Sequence, residues 1–144
     1  MAVDEKIIKK MMDILKENQK DLSAFNGLKQ QYFLSQNWKK LSELYQLRAD
    51  AIKREDTSEA AKLFFESGEI HEKRLGNKND AVLAYQNAFA LLPKKKEYGD
   101  VLANIYYLEN NWQKTLEILR RQLEFSHPAE KINKLLKLIS IFKD

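Results

Sequence analysis

Gly68-Glu69-Ile70-His71-Glu72-Lys73-Arg74-Leu75-Gly76-Asn77-Lys78-Asn79-Asp80-Ala81-Val82-Leu83-Ala84-Tyr85-Gln86-Asn87-Ala88-Phe89-Ala90-Leu91-Leu92-Pro93 is the stretch whose reading decides the fold. Two apolar stripes at helical spacing meet across Gly76. The upstream one runs Ala61, Phe64, Phe65, Gly68, Ile70, and the downstream one Ala81, Val82, Tyr85, Ala88, Phe89, Leu92. Residues three, four and seven apart share one face of a helix, so each stripe predicts an amphipathic helix. Thr57 or Ser58 starts the first, Gly76 is a left-handed stop, Asn79 begins the second, and Pro93 ends it. Small residues such as Gly68, Ala81 and Ala88 let two helix backbones approach closely. Large ones such as Trp38, Tyr85, Tyr106 and Trp112 fill the gaps between helices.

The same punctuation extends both ways. Ile7, Met11, Ile14 and Leu15 mark an N-terminal helix within 4–20. Asp21 and Asn37 can cap helices carrying Leu22, Phe25, Leu28, Tyr32 and Phe33, and then Trp38, Leu41, Leu44, Tyr45 and Ala49. Downstream, Val101, Leu102, Ile105 and Tyr106 mark a sixth helix. Asn111 caps a seventh with Trp112, Leu116, Leu119 and Leu123, and Pro128 opens an eighth over 128–143. In that last helix Ile132, Leu135, Leu136, Ile139 and Phe142 read as a buried stripe, with Lys131, Lys134 and Lys137 on the wet side. No stretch alternates with period two, so no strand is predicted. Helices joined by short loops pack as antiparallel neighbours, here as pairs over 22–55, 57–94 and 96–126.

The pairs repeat. Asn37-Trp38-Lys39-Lys40-Leu41-Ser42-Glu43-Leu44-Tyr45 returns loosely as Asn111-Trp112-Gln113-Lys114-Thr115-Leu116-Glu117-Ile118-Leu119. The two tryptophans are 74 residues apart, two periods of 37, and Gly76 to Tyr85 plays the same part between them. A two-helix unit of this length predicts an α-solenoid. Gly68, Ile70, His71, Gly76, Asn77, Ala81, Tyr85, Ala88, Leu91 and Pro93 together resemble one tetratricopeptide repeat. Ala103, Tyr106, Asn110, Trp112, Leu119 and Pro128 resemble the next, and Leu28, Tyr32, Trp38, Tyr45 and Ala49 the one before. The resemblance spans roughly Leu22 to Pro128. It departs from the family at His71, where tyrosine is usual, and in one extra residue between His71 and Gly76. Lys29 and Thr115 replace small residues, and the last proline comes one residue late. The resemblance implies an all-α, right-handed solenoid of about eight helices. Residues 1–144 would then form a single domain with capping helices at both ends.

Composition sets the limits on chemistry. The chain has 144 residues, 25 basic against 21 acidic side chains, four glycines, two prolines and no cysteine. Lacking cysteine, it cannot form disulfides, thiolate zinc sites or iron–sulfur clusters. No 18-residue apolar run spans a membrane, the N-terminus lacks a signal-peptide core, and a cytoplasmic location is expected by default. No phosphate loop, dinucleotide fingerprint or nucleophile elbow occurs. His71 and His127 lack ligand-like partners one helical turn on, so no metal or other cofactor is expected; structural or capping roles fit both. Glu66, Glu69 and Glu72 stand at ordinary helical spacing. No enzyme is expected.

The surface reading is therefore a protein-interaction scaffold. In tetratricopeptide arrays the first helix of each pair lines the concave face. That resemblance picks out Asn26, Gln30 and Phe33, then Lys62, Phe65, Glu69 and Glu72, then Asp100, Asn104 and Tyr107. Amides can bond an extended peptide, aromatics suit anchors, and the acidic excess favours an apolar or basic peptide or helix. The cationic clamp for terminal carboxylates is absent. The alternative is an RNA- or nucleic-acid-associated helical repeat protein using Lys94-Lys95-Lys96, Arg120-Arg121 and the lysines of the last helix. With most aromatics on buried stripes, specific nucleic-acid binding is not expected, nor is a small-molecule substrate. Self-association is left open.

Overall fold

In the computed structural model residues 4–125 and 127–143 are described, the last three by their backbone alone. Among them the chain is all-α, with eight helices and no strand: α1 Glu5–Glu17, α2 Leu22–Leu34, α3 Trp38–Ile52, α4 Thr57–Lys73, α5 Lys78–Leu91, α6 Lys96–Leu108, α7 Trp112–Leu123 and α8 Pro128–Lys143. Two compact units divide after Leu91. In the first, each of α1 to α4 packs on the next. In the second, α6 packs on α7 and α7 on α8. Connections this short make each packed neighbour antiparallel.

The helix starts follow from side-chain caps. Asp4, Asp21, Asn37, Asp56 and Asn111 each accept a backbone N–H of the following first turn. Each cap is worth about 1 kcal/mol. α4 starts at Thr57, as expected, with Asp56 as its cap. Asn77 accepts from the Asp80 N–H, which starts α5 at Lys78, one residue ahead of the expected Asn79.

The helix stops reveal the repeat at atomic level. Gln36 (φ 55°) and Asn110 (φ 61°) are both left-handed. Asn37 N–H donates to the Tyr32 carbonyl and Asn111 N–H to the Tyr106 carbonyl, each at 2.9 Å. Gln36 and Asn110 N–H groups donate to Phe33 and Tyr107 carbonyls at 3.1 Å. This pair of bonds is the Schellman stop. Gly76 (φ 63°) takes the same left-handed step before Asn77, but there Asn77 N–H reaches back six residues to His71. The extra residue of the middle repeat is absorbed at this point. Glycine takes positive φ without the Cβ penalty carried by Gln36 and Asn110. Gln36→Gly and Asn110→Gly are each expected to stabilise by roughly 0.5–1 kcal/mol. A lowered melting temperature in either variant would contradict the assigned turn.

Packing in the first unit centres on Leu28, Leu41, Leu63, Phe64, Ala81, Tyr85, Ala88 and Phe89, all at most 3% exposed. In the second it centres on Tyr98, Leu102, Ala103, Ile105, Ile118 and Leu119. Two expectations need correction. Trp38 is half-buried and Trp112 is exposed, so neither is a core filler. On α8, Ile132, Leu135, Leu136 and Ile139 are 48–59% exposed, so the stripe read as buried is wet; Phe142 lies outside the described side chains. α8 is the last helix of its unit; it packs mainly on α7 and meets α6 only along the polar side that carries Lys134. A helical stripe is buried only where a neighbour covers it.

Candidate functional site

On α2, Tyr32 is buried while Phe33 is 60% exposed, because one residue turns the side chain by about 100°. Phe33 is not loose: its ring meets Trp38 edge to face, centroids 5.7 Å apart. Trp38 also carries the Arg74 guanidinium 4.7 Å from its ring centre. In the second unit the arrangement recurs. Tyr106 is buried, Tyr107 is 41% exposed, and Tyr107 meets Trp112 at 5.4 Å and 69°. The Schellman stop between ring and tryptophan produces both pairs. It reverses the chain within four residues and sets the first residue of the next helix beside the ring.

The expected site residues divide as follows. Phe33 and Glu69 line one open cavity of about 250 Å³ with Trp38, Tyr45, Glu66 and Arg74. Asn26, Gln30 and Lys62 are exposed, and none of the three lines that cavity. Phe65 is half-buried and leans on Tyr85 at 5.2 Å. The Tyr85 hydroxyl donates to Glu72 at 2.8 Å, and Glu69 pairs with Lys73 at 3.1 Å. In the second unit Asp100 and Asn104 share a polar cleft of about 380 Å³ with Lys96, Glu130 and Lys134. Asp100 accepts from Gln122 Nε2 at 3.0 Å and stands 3.8 Å from the Lys134 ammonium.

The electrostatics single out Glu66. Burial pushes its carboxyl above the ordinary carboxylate range, against the opposing pull of Lys62 and Lys29. Tyr45, on the same cavity wall, is pushed up to about 12 by burial and then by the Glu66 charge. A carboxyl raised on folding contributes stability below its unfolded value, near 4.5, and loses it as pH rises through the folded value. Glu66→Gln is therefore expected to melt higher than the parent at pH 7, with the difference closing toward pH 4. Melts of both proteins across that range test it; a gap that widens on acidification contradicts it.

Sequence reasoning passed over Trp38, Tyr45 and Glu66 as site residues, and also a buried polar chain. Ser42 and Ser67, both fully buried, join Oγ to Oγ at 2.7 Å, and Ser42 Oγ meets His71 Nε2 at 2.8 Å. His71 thus has the structural role expected of it. Its Nδ1 has no hydrogen-bond partner. The signal was present: a serine within an apolar stripe is a polar residue in a core position. The basic groups are partly engaged within the chain. The Lys94 and Lys95 ammonium groups each lie 5.6 Å from a ring centre, of Phe125 and Tyr98 respectively. No group of three or more potential metal ligands gathers among the described residues. No helix there is long and apolar enough to cross a membrane.

No family model matches the chain, and no curated protein does. Among solved structures it is similar to that of MamA, at 15% identity over 88% of this chain and 89% of that one, with a TM-score of 0.42. Likeness this distant assigns no family, and the architecture stands on the helices themselves.

Proposed function

We propose that the chain is a non-enzymatic protein-interaction module, binding a peptide or helix on the exposed faces of its first-of-pair helices. The observation that carries this reading is the twice-built aromatic pair, Phe33 on Trp38 and Tyr107 on Trp112. An aromatic ring held in fixed geometry and kept wet has already lost its rotamer freedom. It gives up little more on docking, which is how interface anchors work. On the helix of the first ring Asn26 and Gln30 supply exposed amides, and Glu69 and Glu66 in the cavity beside it supply charge, which favours an apolar or basic partner. Asp100 and Asn104 offer polar contacts on the second unit's α6. The tetratricopeptide resemblance supports the same reading.

Quantitative capture from a native extract tests it, with wild type, Phe33→Ala and Tyr107→Ala compared at equal helical content. Each variant is expected to retain about a tenth or less of the specific partner signal, since an anchor is worth roughly 2 kcal/mol. Equal capture by all three proteins sinks the reading. Capture that disappears with nuclease points to the nucleic-acid alternative instead.

A further inference from the structure

We infer that the cavity between α2, α3 and α4 is a receptacle for a cationic side chain of the partner, with Glu66 as its counter-charge. This rests on the interaction reading above and names the chemistry of the residue received. Four observations converge. The walls are aromatic: Phe33, Trp38 and Tyr45. The chain's own cations already seek these rings, Arg74 over Trp38 at 4.7 Å and Lys29 over Tyr45 at 5.8 Å. Ring faces attract ammonium and guanidinium groups most strongly where water is excluded. Glu69 is answered by Lys73 at 3.1 Å. Glu66, half-buried on the same wall, has no hydrogen bond or ion pair among the described residues, only the longer-range pull of Lys62 and Lys29.

An unanswered, partly desolvated carboxylate among aromatic rings is costly by itself and favourable once a cation joins it. Size narrows the occupant further. At about 250 Å³ the cavity falls below the roughly 300–1,000 Å³ of small-molecule clefts. One inserted side chain suits it better than a separate ligand. Lys73, Arg74 and Lys29 are all exposed, so they can swing aside as a partner's arginine or lysine enters.

The test pans a phage-displayed library of random twelve-residue peptides on the full chain, on Glu66→Gln and on Phe33→Ala, each checked by thermal melt. Peptides selected on wild type are expected to carry arginine or lysine beside an apolar residue. A synthesised winner should bind Glu66→Gln about tenfold more weakly, the worth of one charge-assisted contact. Replacing its basic residue by citrulline or norleucine should cost at least the same factor on wild type, because the rings lose their cation too, and distinctly less on Glu66→Gln. Winners without a basic residue, or undiminished binding to Glu66→Gln, overturn the receptacle. If such winners still need Phe33, the interaction surface stands and only the receptacle falls. If they ignore Phe33 too, or if nothing is selected, both fall.

Discussion

Gly68→Ala is expected to destabilise the protein, by up to about 2 kcal/mol, although alanine is the better helix former. A Cβ built on Gly68 would lie 2.6 Å from Tyr85 Cε1 and 2.7 Å from Cδ1. Carbon atoms meet comfortably near 3.5–4.0 Å. The ring cannot easily retreat: Tyr85 is fully buried, leans on Phe65, and is tied through its hydroxyl to Glu72. Overpacking of this kind costs about 1–3 kcal/mol, against roughly 1 kcal/mol regained from helix propensity. The cost lies on the contact between α4 and α5, so it should vanish with the ring. In a Tyr85→Leu background, Gly68→Ala is expected to be neutral or stabilising by up to about 1 kcal/mol. Urea melts of the four proteins form the cycle. Equal penalties in both backgrounds would mean that α4 and α5 do not meet where drawn.

That contact also shows why so much of the fold was legible. Gly68, Ala81, Tyr85 and Ala88 define a small-against-large pattern that only two close-packed helices satisfy, and the caps at Asp21, Asn37 and Asn111 announce where helices begin. Local signals of this kind depend on residues within one or two turns of each other. The failures have the opposite character. The stripe on α8 has the right period for burial, yet period says nothing about whether a neighbour exists to cover it. Trp38 and Trp112 look like core residues by size. They sit on the first turn after a left-handed stop, where one face meets Phe33 or Tyr107 and the ring stays partly open to water.

The site was legible in part, for a related reason. Phe33 and Glu69 were picked out by the tetratricopeptide resemblance and do share a cavity. Phe65 and Glu72 have the same phase, but their side chains are engaged by Tyr85 from α5, a partner invisible to a single-helix projection. Glu66 was passed over because its importance depends on what does not reach it. Its environment is set by α2 and α3, which lie more than a full helix away in sequence.

Ser42→Ala is expected to cost about 2–3 kcal/mol, more than Ser67→Ala at about 1 kcal/mol, although both delete one buried hydroxyl. The asymmetry follows from the direction of the hydrogen bonds. One arrangement satisfies nearly every group. His71 Nε2–H donates to Ser42 Oγ, Ser42 donates to Ser67 Oγ at 2.7 Å, and Ser67 donates back to the Ser42 carbonyl at 3.3 Å. This tautomer is assigned from the network: it leaves Nδ1 as a bare acceptor, whereas the other would leave an orphaned donor. Ser42 is the middle member. Without its hydroxyl, His71 Nε2–H loses its acceptor at a half-buried position, and Ser67 keeps only its longer bond. Stranding a buried polar group costs about 1–3 kcal/mol, beyond the 0.5–1.5 kcal/mol of an ordinary bond. Ser67 is terminal: its loss leaves the His71 to Ser42 bond intact, and the freely rotating Ser42 hydroxyl can donate instead to a carbonyl one turn back in its own helix. The penalty should also depend on the imidazole, so Ser42→Ala should be milder in a His71→Leu background, where no ring nitrogen is left to strand. Denaturant melts of the single and double variants measure each step. If Ser67→Ala proves as damaging as Ser42→Ala, the chain does not run in this direction, and the hydroxyls contribute by filling space alone.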